Sequence, residues 1–299
     1  MKQFKVIAIG GFILTSFLCC AQEDYAFRVL ANKGTNEVKS GNTWQPLKTG
    51  AQLKTSDELK ISENASVGLV SKSGRPLEVR EAKVHKVVDL LSKVGNNQSV
   101  LNKYTDFILS SNSAESKKNR LSATGAVHRG LEDIKVFLPE DNSNEVFNNT
   151  VIVSWQSSKS SGPFIVTVTT LFEDELMKIE TPETKVQLDL SDPKFMNFPT
   201  LQIDVKSKSD GRSRAQQHSI KRPDPSRYEA IKVELGKAED LKEETAFNKY
   251  LLAGFYEENR LLIDAIACYE QAIKMDPENP TYTEGYEEFL LRNKLKAIK

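Results

Sequence analysis

Between Ala246 and Asn279 the apolar residues fall twice at helical spacing, and four polar residues, Glu257-Glu258-Asn259-Arg260, divide the two runs. Leu252 and Tyr256 lie one turn apart in the first run. Ala265, Ile266, Tyr269, Ala272 and Ile273 form a stripe along the second. The small alanines let two antiparallel helices approach closely, and Asp276-Pro277-Glu278-Asn279-Pro280 ends the second, because proline has no amide proton and its ring is excluded from a helix interior. A pair of helices this apolar cannot stand alone, so something must cover it.

Laid position by position, the same stretch resembles a tetratricopeptide repeat. Leu252, Ala253 and Tyr256 occupy its first helix, and Ala265, Tyr269 and Ala272 its second, before Pro277. Lys249 departs from the pattern, where the family has a tryptophan, and Arg260 replaces the glycine that usually ends the first helix. The resemblance implies a protein-binding surface lined by the first helix, which makes Lys249, Tyr256 and Asn259 the candidate partner-facing residues. The plainer reading is a helical hairpin with no partner. Flanking patterns extend the helical region over 224–299. Tyr228, Ile231, Leu235, Ala238 and Leu241 make a leading helix despite Gly236, which costs about 1 kcal/mol relative to alanine. Tyr282, Tyr286, Phe289, Leu290 and Leu295 make a following one. These two helices, or a second copy of the chain, are expected to cap the pair. The region carries more acidic than basic residues, whereas the rest is mildly basic.

At the other end, Lys2 and Lys5 precede an apolar run from Val6 to Cys20. A membrane-spanning helix needs about 20 residues, so this shorter run reads as a secretory signal, 1–21, with Cys19 and Ala21 at the small-residue positions of the cleavage site. A lipidated Cys20 is the alternative, and only then would the chain associate with a membrane. With the signal removed, Cys268 is the one remaining cysteine of three, so no intrachain disulfide forms and the core must hold the fold. The 41 basic and 41 acidic residues balance, which gives no reason to expect a nucleic-acid partner.

From 22 to 82 short apolar groups alternate with turn residues: Phe27 and Val29, Leu59 and Ile61, then Val67-Gly68-Leu69-Val70 before Ser73-Gly74-Arg75. This is the pattern of a small all-β unit. Trp44, Pro46-Leu47, Gly50, Leu53 and the Ser-Gly turn are similar to the β-rich FecR-type periplasmic domain, although the cytoplasmic module and membrane span that its anti-sigma signalling needs are not found ahead of it. Trp44 reads as a core aromatic before a ligand platform. Over 83–120 the period becomes helical. Val84, Val87, Val88, Leu91 and Val94 share one face, Val100, Leu101, Tyr104, Phe107 and Ile108 another, and the polar stretch Ser110 to Asn119 reads as a linker.

Seven strands are expected over 121–223: 134–138, 150–155, 164–171, 176–179, 185–190, 201–205 and 215–220. Phe164, Val166 and Val168 alternate with Ile165, Thr167 and Thr169, as in a sheet with one wet side. Seven short strands, a Val-x-Val-x-Trp strand and no cysteine pair resemble an immunoglobulin-like sandwich of the fibronectin type III sort. Around Ser209-Asp210-Gly211, Lys206, Lys208, Arg212 and Arg214 form a basic hairpin that could contact an anionic polymer, or simply blunt an edge strand with solvated charge.

The chain is therefore expected to be multidomain, β plus α. His85, His128 and His218 lie in separate segments, none at ligand spacing, and no nucleophile elbow, phosphate loop or paired cysteines occur, so neither a metal nor a cofactor is expected. The pattern points to a non-enzymatic, exported protein of the periplasm or outer membrane that grips a protein partner through its helical region. The rival is a cell-wall or carbohydrate-binding module that uses the β domains and the basic hairpin.

Overall fold

The computed structural model describes residues 25–95, 99–113, 133–140, 144–158, 160, 162–210 and 213–296. The signal segment, Cys19, Cys20, most of the expected linker, His128 and Arg212 lie outside the described residues. The architecture mixes antiparallel sheets and helices in one chain.

The first unit holds β1 (Phe27–Lys33), β2 (Glu37–Ser40), β3 (Thr43–Pro46), β4 (Gln52–Leu53), β5 (Glu58–Lys60), β6 (Ser66–Ser71), β7 (Pro76–Val79) and β8 (Val84–Lys86). They form two antiparallel sheets, ordered β4-β1-β6-β7 and β3-β2-β5-β8. Phe27, Val29, Leu53, Leu59, Val67 and Leu69 fill the core between them, and Val87 and Leu90 of helix α1 (Val87–Lys93) join it. Trp44 belongs to neither core of the protein. It stands half-buried opposite Lys39, with the amines of Lys39 and Lys60 each 5.8 Å from its ring centre. The helical face expected from Lys83 begins later than its spacing suggests. Val84 pairs with Lys60 as part of β8, and Val84 and Val88 are left about half exposed, because sheet pairing takes precedence over the local helical pattern.

Strand β6 is buried along its whole length, which marks a sheet covered on both faces. Val67 and Leu69 face the first core, whereas Val70, with Leu30 and Ala31 of β1, faces a second and much larger one. Helix α2 (Leu101–Ser111) lies on this second side and contributes Leu101, Tyr104 and Ile108.

The middle unit contains β9 (Ile134–Val136), β10 (Thr150–Ser157), β11 (Phe164–Thr169), β12 (Glu175–Thr181), β13 (Lys185–Asp189), the short helix α3 (Pro193–Met196), β14 (Thr200–Ser207) and β15 (His218–Lys221). Its sheets run β13-β10-β9 and β12-β11-β14-β15, all antiparallel, and meet through Trp155 and Phe164 at 5.4 Å. Phe164, Val166 and Val168 are buried in alternation, as the sequence pattern requires.

The last region comprises α4 (Pro225–Gly236), a 3-10 turn (Glu239–Leu241), α5 (Ala246–Glu258), α6 (Leu262–Met275) and α7 (Pro280–Arg292). The leading helix does not run through Gly236; it stops there, and Ala238 and Leu241 reach the core from the turn that follows. Thr245 caps α5 by accepting the Asn248 N–H at 3.1 Å. At its other end the Leu261 N–H donates to the Tyr256 carbonyl at 2.8 Å, with Arg260 at φ +60° in the place of a glycine. Lys294 does the same after α7, with φ +58° and the Leu295 N–H donating to Leu290. One hydrophobic core runs from Leu30 of the first sheet through α2, α5, α6 and α7 into both sheets of the middle unit.

Candidate functional site

Helices α5 and α6 form the centre of the molecule. No residue from Ala246 to Glu258, and none from Leu262 to Ile273, is fully exposed. Each neighbour is admitted by a glycine. A Cβ on Gly68 of β6 would collide with the ring of Phe247, a Cβ on Gly254 would come within 2.6 Å of Ile108 in α2, and one on Gly285 within 2.8 Å of Tyr250. The first helix of the pair therefore lines no open groove: the first β unit, α2 and α7 occupy its surroundings.

That placement decides what the candidate partner residues do. Tyr256 is 3 % exposed and packs against Phe255 and Phe147. Burial pushes its phenol well above the usual range. Lys249 is half-buried and pairs with Glu244 at 2.7 Å. Asn259 closes the helix, its amide donating to the Phe255 carbonyl at 2.9 Å while its own carbonyl accepts from Arg227 at 2.9 Å. Lys249 and Tyr256 lie on α5 and Asn259 caps its end, and all three are used within the chain.

Two polar seams fix the hairpin, and neither stood out in the sequence. At the first, Asp264 in the opening turn of α6 is fully buried and accepts the backbone N–H groups of Phe147 and Asn148, each at 2.8 Å. Arg222 holds the same loop, donating to the Asn148 carbonyl at 2.5 Å and to Asn149 Oδ1 at 2.6 Å. Burial raises the Asp264 carboxyl to about 6, against the pull of the two N–H groups and the Arg222 charge. A lone acid inside the run Leu262-Ile263-Asp264-Ala265-Ile266 was the available signal. At the second seam Arg292 forks onto the buried Glu257, with both nitrogen–oxygen distances 2.5 Å, and donates to Asn112 at 3.0 Å.

Ion pairs continue this stapling. Lys33 meets Asp276 at 2.8 Å and Glu278 at 3.2 Å, Arg75 meets Asp240 at 2.7 Å, and Lys185 meets Glu270 at 3.0 Å. In each case a base on a β unit pairs with an acid of the helical region, so the charge asymmetry of the sequence is spent partly inside the molecule. The basic hairpin is also largely paired: Lys208 with Glu180 at 2.6 Å and Arg214 with Asp204 at 2.7 Å, while Lys206 is half-buried.

Other reactive groups are enclosed. His85 is 6 % exposed and contacts the Glu81 carbonyl; His218 is buried, and desolvation pulls its imidazole below the ordinary value. The Cys268 thiol is buried and pushed up by desolvation. Among the described residues no cluster of His, Cys, Asp or Glu is placed to hold a metal ion, and no helix is long and apolar enough to cross a membrane.

Helix α4 contrasts with all this. Only Ile231 of its twelve residues is buried, while Tyr228 and Val233 are 38 % and 58 % exposed. Val233, Ala230, Glu229, Glu234 and Lys237 border an open groove of about 530 Å³ with Val100 opposite. Val233 carried no sequence signal, because an apolar residue at helical spacing reads as buried whether or not anything covers it.

Comparison with family models, curated proteins and solved structures finds no match for this chain.

Proposed function

We propose that this protein is a non-enzymatic adaptor of the cell envelope, exported by its N-terminal signal, that binds another protein through its helical region. The partner's face is the outer side of α4, and the tetratricopeptide-like pair serves as the scaffold behind it. The observation that carries this reading is the exposure of Val233 in a groove along α4, with Tyr228 exposed on the same helix, in a region whose other large apolar residues, Met275 apart, are enclosed. Exposed apolar residues rimmed by charge, here Glu229, Lys232 and Lys237, are characteristic of protein contact surfaces. The two β units, resembling FecR-type and immunoglobulin-like domains, position that face. The rival use of the basic hairpin for an anionic cell-wall polymer is disfavoured by the pairing of Lys208 and Arg214 with carboxylates.

Affinity capture of the mature chain from envelope extracts, wild type beside Val233→Glu, tests the proposal. A partner captured by wild type and lost from the variant, with an unchanged melting temperature, is the expected result. Identical capture by both proteins, or retention of cell-wall material by the β units alone, would overturn it.

A further inference from the structure

Residues 144–149 form the loop that leads into β10, and its backbone is held from the body of the molecule. The Val146 N–H donates to the Lys221 carbonyl at 2.9 Å and the Lys221 N–H to the Asn144 carbonyl at 3.0 Å, so the loop starts as a fringe of β15. Next come the N–H groups of Phe147 and Asn148, each ending on its own oxygen of the buried Asp264 in α6. Arg222 secures the same stretch through the carbonyls of Phe147 and Asn148. The side chains of this loop hold α4. The Phe147 ring stacks on Tyr228 at 4.7 Å, and the Glu145 carboxylate meets Arg227 at 2.5 Å. The other anchors of α4 include the buried Ile231, the bond from Arg227 to the Asn259 carbonyl and the bond from the Tyr104 hydroxyl to Glu234.

A helix with one buried residue among its twelve belongs to the low end of local stability, so a few contacts decide how often it opens. The stack and the ion pair both run through one loop, and one buried acid fixes that loop. We propose that loop 144–149 is a latch through which Asp264 sets how firmly α4 docks, tightly when its carboxyl carries a proton and loosely when it is ionised. The direction follows from burial. While the loop is closed, Asp264 is out of contact with water, and of the groups that face it Arg222, at the end of β15, is the cation. That guanidinium also serves the loop carbonyls and Asn149. Tyr256 of α5 and Cys268 of α6 face the acid as neutral groups, because burial pushes both up, and Tyr228 of α4 stands beyond the Phe147 ring. Opening the loop lets water reach the carboxylate, so ionisation favours the open state. The rise of the buried carboxyl to about 6 agrees with this sense. The latch concerns how α4 is held and stands whatever α4 binds.

Hydrogen exchange of the full chain as a function of pH, corrected for the intrinsic chemistry of exchange, tests the latch. In wild type the opening constants of α4 and of residues 145–149 should rise together, by about a hundredfold from below pH 4 to above pH 6, and then level off. Asp264→Asn, which keeps the shape of the side chain but cannot ionise, should flatten both curves. Tyr228→Ala, at a 38 % exposed position where folding is not at stake, should raise the opening of α4 severalfold and leave that of 145–149 as in wild type. A pH-independent α4 in wild type, the same pH response in Asp264→Asn, or an α4 indifferent to Tyr228→Ala would overturn the proposal.

Discussion

Helices α5 and α4 belong to the same helical region, yet they meet opposite surroundings. Every residue of α5 is at least half-buried, and its neighbours approach over glycines with almost no clearance. Helix α4 is held by Ile231, by the stacking of Tyr228 on Phe147 at 4.7 Å, and by a few polar contacts. The difference teaches that a repeat-like helical pair need not present the face its pattern suggests. A single pair buries too little of its own apolar surface, and here the two β units supply the cover that stacked repeats would otherwise provide. What remains exposed is then the helix that packs least.

The sharpest way to break the contrast is truncation in its centre. Phe247→Ala should destabilise the protein by about 3–5 kcal/mol, since the ring is fully buried against β6. Val233→Ala should change stability by no more than about 0.5 kcal/mol. Chemical denaturation of both variants gives the comparison directly, and equal losses would refute it. Nearly as large, Glu257→Gln leaves the buried Arg292 without its carboxylate and should cost about 3–5 kcal/mol, read the same way.

Acid sensitivity sharpens the account of the seam. The folded protein holds a proton on Asp264 more tightly than the unfolded chain does, at about 6 against an ordinary 3.8. A raised carboxyl pKa means that the ionised form is disfavoured by folding. This site's contribution is therefore most favourable below about pH 4, falls as pH rises through 4–6, and is constant above; the whole difference is about 3 kcal/mol. Between about pH 4 and 6 the stability of wild type should fall by about 3 kcal/mol more than that of Asp264→Asn. Superimposable slopes would remove Asp264 from the seam's energetics. A smaller effect is expected at Arg260. Replacing it with glycine relieves a left-handed conformation but frees the unfolded chain, so Arg260→Gly should change stability by at most about 1 kcal/mol, in the stabilising direction.

Much of the fold was legible where periodicity and burial coincide. The strands around Thr150–Trp155, Phe164 and Leu201, and the turn between α5 and α6, follow from alternation and helical spacing, because local pattern and tertiary environment agree there. The places where the sequence misled are those where a distant partner decides. Val84 is drawn into β8 by β5, Trp44 lies on an outer sheet face among lysines, and Tyr256 is covered by a loop more than a hundred residues away. The candidate sites were less legible still. Asp264, Arg222 and the loop they hold gather residues from separate segments, and no spacing along the chain announces such a meeting.

The central claim is that α5 and α6 are the shared core of both β units, so they should open only when the whole molecule does. Native-state hydrogen exchange followed by mass spectrometry measures this. Amides of α5 and α6 should exchange with the same free energy as those of β6 and β10, and rise and fall with them across denaturant, while α4 exchanges faster. If the α5–α6 amides open at a free energy well below that of the sheets, the helical pair is an independent attachment and the account fails.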